Sequence, residues 1–304
     1  ASLWAIRPNE TPTGYMHGFS MACFHDVQYN FKGCRPLAHD RGKTKIGPIS
    51  LEYLEPLTRY RHSLLENPYS SLTFDVELER RADPEIFPTW EFQETGEPFV
   101  TQWTHTTHSL RATKGWIKAG GKNYDAKDYT AVTDHCWGIR GHKMGIFLHT
   151  WLYAFFPDFT FHLYYREDQD GKIIQNTGVI IPDGKKPEWT KEVKCEFAWE
   201  AGTRNFTKAE WTVIDASGKK RKVKAERLYS GLYWEGGWSG ENPEEYRGPF
   251  RTDGDTWELT REKQLELGRQ AKDQLCRFDF DGVKGMGIFE SAVSKKHKIY
   301  GPQL

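Results

Sequence analysis

The sequence lacks several features by which protein classes are recognised. It contains no run of about 20 apolar residues, so no segment is predicted to span a membrane, and it shows no signal-like apolar stretch. Its five cysteines are widely spaced and form no Cys-x-x-Cys pair, which argues against a disulfide framework and a structural zinc site; they are Cys23, Cys34, Cys136, Cys195 and Cys276. Free thiols indicate a reducing compartment, and we expect a cytoplasmic protein.

An excess of charge is also missing. The 42 Lys and Arg residues balance 42 Asp and Glu residues, so the formal net charge at pH 7 is zero and no nucleic-acid partner is expected. The chain has no Gly-x-Gly-x-x-Gly, Walker, His-Glu-x-x-His or Gly-x-Ser-x-Gly motif. We therefore expect no cofactor and no metal.

Aromatic residues are abundant, with 12 Trp, 14 Tyr and 18 Phe in 304 residues. Such residues fill β cores and line pockets for apolar ligands. Apolar and polar residues alternate over Ile49–Glu55 and Ser71–Arg80, as in half-buried strands, and Gly120-Gly121 is typical of a hairpin turn. Only Leu259–Leu275 has the composition of a helix. These patterns predict an all-β fold with one late α-helix, at about residues 259–275.

One stretch, Tyr129–Arg140, combines side chains that neither a surface turn nor a plain core strand requires. Between Asp134 and Arg140 it contains an acid, an imidazole, a thiol, an indole, a glycine and a guanidinium. A pocket wall that holds an apolar molecule and delivers a proton could use them all. In a strand, however, Asp134 and Cys136 face one side and His135 and Trp137 the other, so only one of these pairs can line a pocket.

The motif Asp134-His-Cys-Trp-Gly138 resembles the lipocalin-like superfamily of the carotenoid 1,2-hydratases (hydroxyneurosporene synthases). Kievitone hydratase and the lipocalin-like Diels–Alderases resemble distant members of it. Three further segments are similar to the family pattern: Pro56–Arg61 with Leu72–Asp75, Gly120–Tyr124, and Gly285–Glu290. The resemblance implies two lipocalin-like antiparallel β-barrel or sandwich domains, which we place at residues 1–118 and 119–304.

The resemblance also implies a cofactor-independent hydratase or dehydratase (a hydro-lyase), or an isomerase, for an isoprenoid, steroid-like or polyketide-like substrate. A carboxylic acid in an apolar site can remain protonated near neutral pH, so Asp134 is the candidate proton donor. Trp137 would stabilise developing positive charge, and His135 would orient the acid or water. Arg140 completes the set of candidate catalytic residues, and the alternative for Asp134 is a structural ion pair with Arg140. Further candidates for substrate contact are Trp103, His105, Tyr153, Trp234 and Glu290.

A second class of function stays open at this point. A lipocalin-like barrel can carry a hydrophobic small molecule without chemistry, and such a carrier needs no isolated carboxylate in its cavity. The expected partner is a hydrophobic small molecule in either case, with a homodimer as an open alternative.

Overall fold

The computed structural model describes residues 2–7, 15–36, 42–93, 100–139, 146–233, 250–268 and 272–304. The chain is nearly all β and forms two lipocalin-like β domains from curled antiparallel sheets, as the sequence predicts. It divides into two compact units, which are discontinuous in sequence. Unit 1 comprises Ala1–Arg80, Arg111–Ala131 and Leu232–Lys263, and unit 2 comprises Arg81–Leu110, Val132–Gly231 and Gln264–Leu304. The domain bounds expected from the sequence, 1–118 and 119–304, stay a prediction.

Unit 1 contains two antiparallel sheets. The first has the order β1-β2-β3-β21, and the second runs β11-β10-β7-β6-β5-β4 and includes the C-terminal part of β10. The strands of these sheets are β1 (Ser2–Arg7), β2 (Tyr15–Phe24), β3 (Val27–Pro36), β4 (Lys45–Ile46), β5 (Ile49–Glu55), β6 (Arg59–Leu64), β7 (Thr73–Arg80), β10 (Val100–Ala119), β11 (Lys122–Asp125) and β21 (Arg251–Glu258). The two-residue strand β20 (Leu232–Tyr233) belongs to unit 1 but to neither of these sheets. Its core contains Met16, Phe31, Ile49, Leu64 and Leu72.

Unit 2 is built on one long antiparallel sheet with the order β16-β15-β14-β13-β23-β22-β19-β18-β17. Its strands are β13 (Leu148–Phe155), β14 (Phe159–Glu167), β15 (Ile173–Pro182), β16 (Glu188–Trp189), β17 (Glu192–Trp199), β18 (Phe206–Ile214), β19 (Lys220–Arg227), β22 (Lys272–Phe280) and β23 (Val283–Val293). The N-terminal part of β10 also belongs to this unit. There it pairs with β8 (Glu85–Ile86), β9 (Trp90–Gln93) and β12 (Thr130–Ile139), the last of which enters unit 2 at Val132.

The helical segments are shorter than the sequence predicts. Helix α1 covers only Arg261–Glu266, and a 3-10 turn, η1, covers Gly301–Gln303. The prediction of a helix to Leu275 was wrong, because Lys272–Phe280 forms β22 and pairs with β19 and β23. Alternate residues of this strand, Cys276 and Phe278 among them, are buried in the core, and this burial outweighs the local helix propensity. No helix among the described residues is long and apolar enough to cross a membrane.

The central sheet of unit 2 is buried on both faces. One face carries the main core, which includes Leu152, Phe161, Leu163, Trp211 and Phe289. The other face carries a smaller cluster that includes Phe87, Trp151, Tyr153, Phe155 and Tyr164. Polar groups concentrate on this second, aromatic face, which therefore contains the candidate site.

Candidate functional site

The site begins with the alternation of β14. Successive side chains of a strand point to opposite faces of its sheet. Phe161, Leu163 and Tyr165 therefore belong to the main core, whereas His162, Tyr164 and Arg166 lie on the opposite face. All three of these polar or amphipathic residues are buried, with relative exposures of 0, 2 and 1%. Burial of this kind is costly unless the polar atoms find partners.

The partners come from β10. Four alternate residues of β10 each contact one residue of β14, and we call this set the polar seam: Trp103 with Arg166, His105 with Tyr164, Thr107 with His162, and Ser109 with Thr160. The last three contacts are hydrogen bonds of 2.8, 3.1 and 3.0 Å, and in the first the guanidinium carbon of Arg166 lies 4.3 Å from the Trp103 ring centroid. Directional contacts at every second residue fix the two strands in a single register.

Asp134 from β12 joins the seam at His105. Its Oδ1 lies 3.0 Å from Nδ1 of His105, and the Tyr164 hydroxyl donates to its Oδ2 at 3.3 Å. Burial lowers the pKa of His105 to about 4, against the opposing effect of Asp134, so the imidazole is neutral at pH 7. Burial, with the nearby Asp134 carboxylate, raises the pKa of Tyr164 well above its usual value, which keeps the phenol protonated.

At Nδ1 the His105 ring meets both the Asp134 carboxyl and the Tyr164 hydroxyl, and its second nitrogen is Nε2. That Nε2 is buried and finds no hydrogen-bond partner among the described residues. The Asp134 side chain is 23% exposed, whereas that of His105 is only 5% exposed. The arrangement is a partly exposed acid supported by a buried base and a phenol, and it can hold or release a proton as one unit.

A second histidine–carboxylate pair lies on the same face. Nε of Arg166 donates to Nδ1 of His149 at 2.9 Å, and Nε2 of His149 lies 2.7 Å from Oε1 of Glu290. The side chains of His149 and Glu290 are 17 and 18% exposed. The His149 ring centroid is 6.2 Å from that of Tyr164. Both pairs therefore lie near the same phenol.

A third group of polar atoms is completely buried. Glu85 accepts a hydrogen bond from Thr107, and its Oε1 lies 3.0 Å from Nδ1 of His162. The side chains of Glu85 and His162 both have 0% exposure. Phe87 packs edge-on against His162, with 4.6 Å between ring centroids. The Glu85 contacts tie β8, β10 and β14 together next to the His105–Tyr164 contact.

The predicted site residues divide into three groups. Asp134, Trp103, His105, Tyr153 and Glu290 all lie on the aromatic face or the strands that cover it. His135 and Trp137 are exposed, and their rings contact each other at 5.4 Å. The remaining two candidates, Arg140 and Trp234, lie outside the described residues.

Five residues of the site were not predicted from the sequence: Glu85, His149, His162, Tyr164 and Arg166. One signal was present, because β14 reads Phe-Thr-Phe-His-Leu-Tyr-Tyr-Arg-Glu and places His and Arg at alternate positions of an aromatic strand. Among the described residues, no three His, Cys, Asp or Glu side chains are grouped so that they could hold a metal ion.

Gly138 keeps β12 close to β10 beside the site. Its φ is +133°, and a Cβ at this position would lie 1.9 Å from the carbonyl oxygen of Gln102. We expect Gly138→Ala to lower the free energy of unfolding by about 1–3 kcal/mol, as measured by urea denaturation, because the added Cβ would overlap this carbonyl oxygen as well as being strained at a positive φ. Gly184→Ala is the control, because Gly184 has φ +66° with nothing within 4 Å of the added Cβ. Equal losses for both variants would contradict the steric argument.

Comparisons with known proteins identify the fold. The structure is similar to kievitone hydratase from Nectria haematococca, with a TM-score of 0.50 and 12% identity over 96% of this chain and 88% of that one. It is also similar to a candidate ATTH from Nitrosomonas europaea, with a TM-score of 0.52 and 13% identity over 93% and 88% of the two chains. No curated protein matches the sequence. A family profile described as "Family of unknown function (DUF8625)" matches residues 16–303.

Proposed function

The chain belongs to the DUF8625 family, whose function is unknown, and we propose that it is a cofactor-independent hydro-lyase or isomerase for a hydrophobic small molecule. The substrate class that we propose is isoprenoid, steroid-like or polyketide-like. The proton would be transferred by Asp134 together with His105 and Tyr164. His135 and Trp137, which are exposed, have no role in this proposal.

One observation carries the proposal. The Asp134 carboxyl, which is partly exposed, is held by a buried neutral imidazole and a buried phenol on a face made largely of aromatic rings. A carboxylate with a purely structural role is best stabilised by a cation or by water. A group that exchanges protons benefits from neutral partners in a site of low dielectric constant. Kievitone hydratase is named as a hydratase, and the shared fold agrees with the proposed class.

Aromatic side chains would recognise the apolar part of the substrate. The Trp103 ring contacts the His105 ring with 4.2 Å between centroids, and the Tyr164 ring also contacts the His105 ring. Their π faces stabilise developing positive charge, which protonation of an alkene or loss of water from an alcohol generates. The role that the sequence assigned to Trp137 thus passes to rings that lie beside Asp134 and His105.

The experiment uses oxygen-18 water and a panel of terpenoid and steroid alcohols and alkenes, followed by mass spectrometry. We expect label uptake or water loss with the wild type, and a fall in kcat of about 100-fold or more for Asp134→Asn, because general acid–base catalysis contributes factors of this size. Binding of the same compound, measured by tryptophan fluorescence, should change little. Asp158→Asn, an exposed substitution of the same kind, is the control.

The other outcomes distinguish the remaining functions. A new retention time at unchanged mass identifies an isomerase rather than a hydro-lyase. Binding across the panel with no product indicates a lipocalin-like carrier, which is the second candidate function because the fold is lipocalin-like. Full turnover by Asp134→Asn would remove Asp134 from the mechanism.

A further inference from the structure

We propose that Glu290 is a second catalytic acid–base group, with His149 and Arg166 as its positioning residues, so that the reaction transfers protons at two substrate atoms. The inference rests on the proposed function and narrows it to the addition or elimination of water across a carbon–carbon bond.

The contacts of His149 fix its tautomer. The Nε–H group of Arg166 can only donate, so the Nδ1 atom that it meets at 2.9 Å must be an acceptor. A neutral imidazole with an unprotonated Nδ1 carries its proton on Nε2, which faces Oε1 of Glu290 at 2.7 Å. His149 therefore donates to Glu290, and the carboxylate is stabilised in its ionised form. An ionised carboxylate is the state required of a general base.

Three aromatic rings surround the buried cation of Arg166. Arg166 is 1% exposed, and its guanidinium carbon lies 4.3 Å from the Trp103 ring centroid, 5.0 Å from that of Trp90 and 5.2 Å from that of Tyr164. These cation–π contacts keep the charge in a buried place and aim Nε at His149. A buried cation behind a histidine–carboxylate pair favours negative charge on the carboxylate.

The two carboxyl groups of the site have different surroundings. Nδ1 of His149, the partner of Glu290, accepts a hydrogen bond from the Arg166 cation, whereas Nδ1 of His105, the partner of Asp134, meets the uncharged Tyr164 phenol. Both carboxylates act on the same phenol and raise the pKa of Tyr164, although burial is the larger cause. Two carboxyl groups in different electrostatic environments divide the roles of acid and base between them.

The chemistry balances without a cofactor. In the dehydration direction, the Glu290 carboxylate removes a proton from carbon, and the electrons of that C–H bond form the double bond as the neighbouring C–O bond breaks. The departing hydroxyl takes a proton from the Asp134–His105–Tyr164 group and leaves as water. Glu290 then returns its proton to solvent, and the Asp134 group regains one. Hydration is the reverse sequence.

The kinetic experiment runs in deuterium oxide with the compound that the oxygen-18 panel identifies. The wild type should place deuterium on carbon during hydration. Glu290→Gln should lose this incorporation and lower kcat by about 10²- to 10⁴-fold with little change in KM, while Glu290→Asp retains part of the activity. Glu192→Gln, an exposed substitution in β17, is the matched control.

The outcomes separate this inference from the proposed function. Wild-type rates and deuterium incorporation in Glu290→Gln, with Asp134→Asn inactive, overturn the second group and leave the first. No turnover by the wild type across the whole panel overturns both.

A spectroscopic experiment tests the positioning residues without any substrate. Long-range ¹H–¹⁵N spectra of histidine-labelled protein report the tautomer of His149, whose signals are assigned by their loss in His149→Gln. We expect an Nε2-protonated ring in the wild type and mixed tautomers in Arg166→Lys, which keeps the charge but lacks Nε–H. A His149 ring protonated on Nδ1 in the wild type would overturn the inference. An unchanged tautomer and an unchanged kcat in Arg166→Lys would remove Arg166 from it.

Discussion

Replacing Glu85 by alanine is expected to lower the free energy of unfolding by about 3–5 kcal/mol, because it leaves a buried imidazole and a buried hydroxyl without their partner. Glu85 and His162 both have side chains with 0% exposure, so water cannot replace the lost carboxylate without rearrangement of the structure. Urea denaturation followed by tryptophan fluorescence measures the effect, read from the midpoint at a constant slope.

Two matched variants test the cause of that loss. Thr107 and Nδ1 of His162 both contact Oε1 of Glu85, and Glu85→Gln retains an oxygen at this position, so we expect a smaller loss than for alanine. Glu188→Ala removes an exposed carboxylate from the same unit and should change stability by less than about 0.5 kcal/mol. A similar loss in all three variants would show that the buried network contributes little.

A double-mutant cycle separates the pair from its surroundings. Glu85→Met and His162→Phe should each destabilise the protein, because each leaves one buried polar partner unpaired. The double variant should be more stable than the sum of the two losses implies, since apolar residues of similar volume can replace a buried pair. Additive losses would mean that Glu85 and His162 stabilise the fold independently of each other.

The strands were largely predictable because their sequence periodicity matches their burial. Thr73–Arg80 alternates as a half-buried strand should, and Gly120-Gly121 joins β10 to β11 as the turn signal predicts. The prediction of a helix was wrong beyond Glu266, because local helix propensity was the only evidence for it. Pairing of Lys272–Phe280 with β19 and β23 is a long-range effect that no local pattern contains.

The site was only half predictable for the same reason. Asp134 was found from its unusual neighbours, and strand alternation showed that His135 and Trp137 must face the other way. Tyr164, which contacts both Asp134 and His105, lies 59 residues from His105 in the sequence. Only the fold brings Tyr164 and His105 together. Glu85 lies between Pro84 and Pro88, and these prolines favoured the prediction of a loop. The structure instead has a two-residue strand, β8, at this position.

Stability is expected to fall steeply as the pH drops from about 6.5 towards 3, because two histidines are buried in their neutral form. Burial lowers the pKa of His105 to about 4 and that of His62 to about 3. The unfolded chain binds these protons near pH 6.5, whereas the folded chain binds them only near the lower pKa of each histidine. Each histidine therefore stabilises the fold fully above pH 6.5 and loses that contribution as the pH falls through its folded pKa.

The expected loss is large enough to unfold the protein. One pKa unit corresponds to about 1.4 kcal/mol, so the shifts amount to about 3 kcal/mol for His105 and about 5 kcal/mol for His62, against a typical domain stability of about 5–15 kcal/mol. Urea midpoints measured at intervals from pH 7 to pH 4 give the slope. His62→Gln and His105→Gln should each flatten the curve, while His25→Gln, at an exposed position, should leave it unchanged. Because the slope counts protons, this test holds even if a variant is less stable at every pH, and an unchanged slope in both buried variants would contradict it.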